Sequence, residues 1–275
     1  MKNLDNILWQ RGVMAIVNAT PDSFYSLSRT QSHDAVAERV REAIAEGAAI
    51  IDIGGYSSRP DADDVAVEEE WSRVEMALKA TREVSSEVAI SVDTFRAEVA
   101  RRAVAQFGNI IVNDITAGGG DSEMLATVAE LGVPYIAMHM RGTPQTMQQQ
   151  TEYTDVAADV VVELGARLKA IEKAGIDLKR VALDPGFGFA KSAEQNFELL
   201  AGLNKLKELG QPLLVGVSRK SMIYKTLGIT PEESLAATQA VHWEALRQGA
   251  TLLRVHDVRE AVETIKLYEK YDKGI

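Results

Sequence analysis

Eight short apolar runs in this sequence end on, or just before, a residue able to do chemistry: Asn18, Asp52, Asp93, Asn113, His139, Asp184, Lys220 and His256. Asp93, Asn113 and Asp184 offer two carboxylates and an amide. Such groups suit a flat heterocycle rich in N–H donors, a pterin or a purine, because a carboxylate accepts paired hydrogen bonds. Each charge-assisted bond contributes about 1.5–3 kcal/mol. Arg59, Lys220, Arg254 and His256 are donors that suit phosphates or a pyrophosphate. The side-chain oxygen of Asn18 suits a Mg²⁺ carried by that pyrophosphate. Taken singly, Asp52 or His139 reads equally well as a hydrogen-bonded core residue. Taken together, eight polar groups at equivalent positions have no packing role to explain them.

The runs that deliver these groups are the expected strands, at about 13–20, 49–55, 88–94, 110–115, 134–140, 180–185, 212–217 and 251–255. They are continuous and rich in branched residues, as strands buried on both faces are. PLLVGVSRKS, from Pro212 to Ser221, shows the pattern most sharply, passing from buried strand to two cations and two hydroxyls. Between the strands the spacing predicts helices at about 33–47, 67–84, 96–107, 122–131, 154–174, 193–207, 230–248 and 257–271. Thr230-Pro231-Glu232-Glu233 is a helix start with a capping box, and Asp257 is placed to cap the last helix. Eight strands alternating with eight helices, without a composition break, predict a single α/β domain over residues 1–275, a (β/α)8 TIM barrel rather than an open doubly wound sheet. In that fold the C-terminal strand ends form one rim, where the polar residues fall.

Composition narrows the partners. The net charge of -10 argues against nucleic acid and anionic membranes, so an anion site must be a local gathering of Arg and Lys. With no cysteine there is no disulfide and no thiolate metal site. No run approaches the roughly 18 apolar residues of a membrane span, and the N-terminus lacks a signal-like apolar core, so a cytoplasmic protein is expected. Gly186-Phe187-Gly188 begins like a dinucleotide fingerprint, but Lys191 stands at the third glycine position.

At these same residues the chain resembles the dihydropteroate synthase family of pterin-binding barrels. The segments that carry the likeness are IVNATPDSF, DIGGYSSRP, SVDTF, NDITAGG, MHMRGTPQTMQ, LDPGFGF, VGVSRKS and RVHDV, spread over nearly the whole chain. The resemblance implies condensation of 6-hydroxymethyl-7,8-dihydropterin pyrophosphate with 4-aminobenzoate to give 7,8-dihydropteroate and pyrophosphate, by an SN1-like displacement. Carried over by motif, Asp93, Asn113, Asp184 and Lys220 hold the pterin. Ser58, Arg254, Val255 and His256 hold the pyrophosphate side, with Asn18 toward Mg²⁺. Phe24, Arg59, Pro60, Phe189, Ser218 and Lys220 form the aminobenzoate pocket, and Asp93, Asp184, Lys220 and Arg254 are the catalytic set. A homodimer is implied as well.

The chain departs from the family's pattern in places. Tyr25-Ser26-Leu27-Ser28 follows PDSF where Ser-Asp-Gly-Gly is usual. Tyr56 stands for Glu, Ser58 for Thr, Asp61 for Gly and Ala190 for Gly. Two other readings share the acidic wall: a methyltetrahydrofolate–corrinoid methyltransferase, and a non-catalytic pterin-binding barrel. The first has no pyrophosphate for Lys220, Arg254 and His256 to hold, and the second has no use for both walls.

Overall fold

The computed structural model describes residue 4 and residues 6–19, 29–57 and 65–274. Its strands are β1 (Gly12–Asn18), β2 (Ile50–Gly54), β3 (Ala89–Asp93), β4 (Ile111–Asp114), β5 (Tyr135–Met138), β6 (Val181–Asp184), β7 (Leu214–Val215) and β8 (Leu252–Val255). They pair in parallel in the order β6-β5-β4-β3-β2-β1-β8-β7. A parallel bridge between Leu183 and Leu213, with the Leu183 amide donating to Pro212 O at 2.9 Å, joins β6 to β7 and closes the ring. The expected barrel is therefore present.

Alternate residues of a strand face opposite sides, so each strand writes two messages. Met14, Ile50, Ala89, Ile111, Ile136, Ala182, Leu214 and Leu252, one from each strand, form an apolar layer inside the barrel. Leu4 and Leu8 plug its lower end, the latter on a 3₁₀ turn (Ile7–Trp9) tied down by the Trp9 indole donating to Lys179 O at 2.7 Å. Two residues further along, the same inward positions read Ile16, Asp52, Ser91, Asn113, Met138, Asp184, Gly216 and Arg254. The barrel is dry and apolar below and charged above. Intervening residues such as Ile53, Val92, Val112, Leu183 and Val255 face out into the core shared with the helices.

That outer layer is α1 (Arg29–Glu46), α2 (Val67–Val84), α3 (Ala97–Phe107), α4 (Met124–Leu131), α5 (Val156–Lys173), α6 (Ala193–Ala201), α7 (Ser221–Leu227), α8 (Leu235–Gln248) and α9 (Val258–Asp272). Helix α7 was not expected. It has seven residues, too few to display a period, and stops at Gly228 in the left-handed conformation. The single helix expected over 193–207 breaks at Gly202, where a side chain would meet Ala157 Cβ at 2.6 Å; the chain continues as a 3₁₀ turn (Leu203–Leu209). The capping box at Thr230 forms, with Thr230 N donating to Glu233 Oε2 at 2.9 Å and Glu233 N to Thr230 Oγ1 at 3.3 Å. It opens a 3₁₀ turn (Glu232–Ser234), and the α-helix starts only at Leu235. Asp257 precedes α9 as expected but makes no side-chain cap, because its carboxylate is taken by Arg219.

Candidate active site

Arg254 rises from β8 into the charged upper layer, where its neighbours on the β1 side of the ring, β2 and β3, present carboxylates. Its Nε donates to Asp52 at 2.6 Å and its Nη2 to Asp93 at 2.7 Å. Asn113 Nδ2 reaches the two oxygens of Asp52 at 3.4 and 3.3 Å. One guanidinium thus ties β8 to β2 and β3, and the acidic and basic walls foreseen from the residues meet in it. Burial opposes the Arg254 charge, but the Asp52 and Asp93 carboxylates outweigh it and hold the cation firmly. Burial raises the Asp93 carboxyl; Arg254 pulls it back, and Asp52 nearby adds to the rise.

Across the barrel, Asp184 ends β6. Burial raises its pKa against the Lys220 charge, which lowers it, and its Oδ1 accepts from Gly186 N at 2.7 Å. Lys220 precedes α7, donates to Phe187 O and lies 4.8 Å from the centre of the Phe189 ring. Burial pulls Lys220 down to about 8, while Asp184 pulls the other way. Its neighbour Arg219, the other cation of PLLVGVSRKS, turns away. It sits at φ 54 and donates to both oxygens of Asp257 at 2.9 and 2.6 Å, so one of the two cations is already satisfied. Ser218 is buried and holds His256: its Oγ lies 3.1 Å from Nδ1 and accepts from the His256 amide at 3.2 Å. His256 itself is exposed at the rim. The Val255 side chain faces the helix layer, which leaves only its main chain for the site.

Supporting carboxylates sit one layer behind. Glu70 of α2 is fully buried and accepts from Thr94 Oγ1 at 2.6 Å and Arg96 Nη1 at 2.7 Å, pinning the turn that follows Asp93. Asp114 accepts from Thr116 N and Oγ1, Gly118 N and the Tyr135 hydroxyl at 2.7–2.8 Å, and so shapes the glycine turn after Asn113. Tyr56 accepts from Gln145 Nε2 at 3.1 Å and packs edge-on to Phe95 at 5.1 Å, an aromatic contact that a Glu there could not make. The sequence places His139 at a strand end, but β5 stops at Met138, which the alternation of the strand turns to the interior. His139 therefore faces outward, between Lys191 and Glu163 of α5.

Asp52 is legible at a strand end but its role is not, because its partner lies 202 residues away. Glu70 carried only the signal of a charged residue next to Trp71 on the inward face of a helix. Phe24, Ser58, Arg59 and Pro60 lie outside the described residues. Asn18, ending β1, is exposed; a side chain at Gly54 would come within 3.6 Å of its Oδ1 and 3.8 Å of Asp93 Oδ2, so the two oxygens border one space at the rim. Among the described residues no group of three His, Cys, Asp or Glu is arranged to hold a metal by itself.

Known proteins resemble the chain in sequence and in fold. The sequence profile of the family described as "pterin binding enzyme" matches residues 14–256. The dihydropteroate synthase of Escherichia coli K12 is 44% identical over 260 residues, covering 94% of this chain and 90% of that one. Among solved structures, Xanthomonas albilineans dihydropteroate synthase with 4-aminobenzoic acid superposes with a TM-score of 0.88 at 41% identity, covering 96% of this chain and 94% of that one. The same enzyme in complex with 7,8-dihydropteroate gives 0.85 at 39% identity, covering 96% and 95%.

Proposed function

The chain belongs to the family of pterin-binding enzymes, and from that premise we propose that it condenses 6-hydroxymethyl-7,8-dihydropterin pyrophosphate with 4-aminobenzoate, as a dihydropteroate synthase. The observation that carries this reading is the charged layer itself. Asp52, Asp93, Asn113, Asp184 and Arg254 project into one barrel end, above a sealed apolar floor, with Lys220 beside them.

Asp184 and Asn113, both buried, hold the pterin by its ring N–H groups and amide edge. Lys220 and the Gly186 amide keep Asp184 competent as an acceptor although it is buried. Arg254 keeps N–H donors beyond the two it gives to Asp52 and Asp93, and with His256 it meets the pyrophosphate. The C–O bond to pyrophosphate breaks first. Negative charge grows on the leaving oxygen toward Arg254 and His256, and positive charge spreads into the pterin beside Asp93 and Asp184. Because these groups are already fixed by Asp52 and Ser218, little reorganisation accompanies the charge separation. The aryl amine is a nucleophile without activation. It attacks from the side of Phe189 and Lys220, and its surplus proton leaves once the C–N bond has formed.

The exposed Asn18 oxygen suits a Mg²⁺ that arrives on the pyrophosphate and keeps most of its own water. When bound, that ion neutralises pyrophosphate charge. Phe24, Ser58, Arg59 and Pro60 complete the aminobenzoate side by resemblance to the family. A homodimer and a cytoplasmic location belong to the same reading; no described helix is long and apolar enough to cross a membrane. The test is incubation of the purified chain with both substrates and Mg²⁺, with mass detection of the product. Formation of 7,8-dihydropteroate with equimolar pyrophosphate is expected. Tight pterin binding without product would overturn the synthase reading and leave only a pterin-binding barrel.

A further inference from the structure

Lys191 is a buried cation that the chemistry above does not use. It is only 3% exposed, yet three acceptors surround its Nζ at 3.0 Å: His139 Nδ1, Gly186 O and Phe189 O. Burial pulls the Lys191 ammonium down to about 7 against the raising pull of the Asp184 charge; while protonated it has three protons and no lone pair, so these contacts use it completely. His139 must then present a lone pair at Nδ1 and carry its proton on Nε2, which faces Glu163 Oε2 at 3.0 Å. Burial lowers the His139 pKa, in keeping with a neutral ring. Glu163 is gripped in turn by Arg141, through Nε at 3.0 Å and through Nη2. A continuous chain of hydrogen bonds therefore runs from α5 to the turn after β6.

That turn needs a hold. Gly186, Gly188 and Ala190 all have positive φ, at 69, 80 and 51°. The last is strained for a residue with a Cβ, and such backbone persists where its surroundings over-determine it. The turn's amides are held by Asp184, which accepts from Gly186 N, and by Asn196, which accepts from Gly188 N at 2.7 Å. Three of its carbonyls are held by two lysines: Lys220 takes Phe187 O, and Lys191 takes Gly186 O and Phe189 O.

We propose that Lys191 is a positioning residue for the second substrate: backed by His139, Glu163 and Arg141, its ammonium locks the Gly186–Phe189 turn and so sets the Phe189 ring against Lys220. The identity of that substrate rests on the function proposed above; the lock itself does not.

The test compares wild type with Lys191→Met and Phe189→Ala, singly and together. Amide hydrogen exchange over residues 183–192 reads the lock without substrate. Lys191→Met is expected to speed exchange at Gly188 and Phe189 at least about tenfold. It is also expected to raise the KM for 4-aminobenzoate roughly tenfold while the KM for the pterin pyrophosphate stays within about twofold. In the Phe189→Ala background the same change should add less than about twofold to the aminobenzoate KM. Unchanged exchange, an equal rise in both KM values, or full additivity with Phe189→Ala would overturn the proposal. If Lys191→Met does not fold, Glu163→Leu decides: faster exchange over the same segment supports the lock, and wild-type exchange sinks it. Faster exchange in Lys191→Met beside a wild type that makes no dihydropteroate would uphold the lock and remove the function it serves.

Discussion

Replacing Arg254 with methionine should destabilise the chain in a pH-dependent way. The guanidinium makes two charge-assisted hydrogen bonds, at 2.6 Å to Asp52, which is fully buried, and at 2.7 Å to Asp93, whose side chain is 18% exposed. Methionine fills much of the space but leaves two carboxylates close together with no cation between them. Breaking a buried pair in this manner costs about 3–5 kcal/mol. Asp93 can escape part of that by taking up a proton. Burial already raises the pKa of Asp93 against the pull of Arg254, and without the cation the rise grows. An acid whose folded pKa exceeds its unfolded one binds more protons when folded, so stability is lost as pH rises through that window. Urea unfolding of the ligand-free variant should therefore show close to the full loss at pH 8 and a clearly smaller loss near pH 5. In melting temperature the pH 8 loss is roughly 6–10 °C. Adding Asp52→Asn and Asp93→Asn should recover much of it. A loss below about 1 kcal/mol, or one that is the same at both pH values, would refute the claim that this ion triad is a buried, mutually dependent unit.

Three other outcomes follow from the geometry. The pH dependence of kcat/KM for the pterin pyrophosphate should fall on an alkaline limb near pH 8, where Lys220 loses its proton, and Lys220→Arg should move that limb up by at least one pH unit, as a pH–rate profile will show. Gly186→Ala should destabilise by about 2 kcal/mol or more in chemical unfolding, since its Cβ would lie 1.9 Å from His139 O at a φ of 69°. Thr94→Val removes the 2.6 Å bond to Glu70 and leaves a buried carboxylate one donor short; it should cost about 1–3 kcal/mol in the same assay and weaken pterin binding through Asp93.

Much of this site was legible because a barrel strand has a period of two and ends on one rim. Asp52, Asp93, Asn113, Asp184 and Arg254 can be gathered from the strand ends in the sequence alone. What could not be read was which way a residue turns at the strand's last position. His139 lies one residue past the inward Met138, and that single step moves it to the helix side, with Lys191 and Glu163. Arg219 and Lys220 are adjacent and both cationic, yet only Lys220 faces Asp184, because Asp257, 38 residues on, captures Arg219. The Arg254–Asp52 pair spans 202 residues and has no local signature at all. Helix α7 escaped notice for a different reason: seven residues do not show a helical period.

The central claim is that a buried carboxylate at the end of β6 holds the pterin while pyrophosphate departs. The most direct measurement is steady-state dihydropteroate formation by wild type and by Asp184→Asn at pH 7.5 with saturating Mg²⁺. Loss of one charge-assisted contact predicts a fall in kcat/KM for the pterin pyrophosphate of roughly 10- to 100-fold, with the folded state intact by circular dichroism. A variant that keeps wild-type kcat/KM would contradict the account, whatever the rest of the barrel looked like.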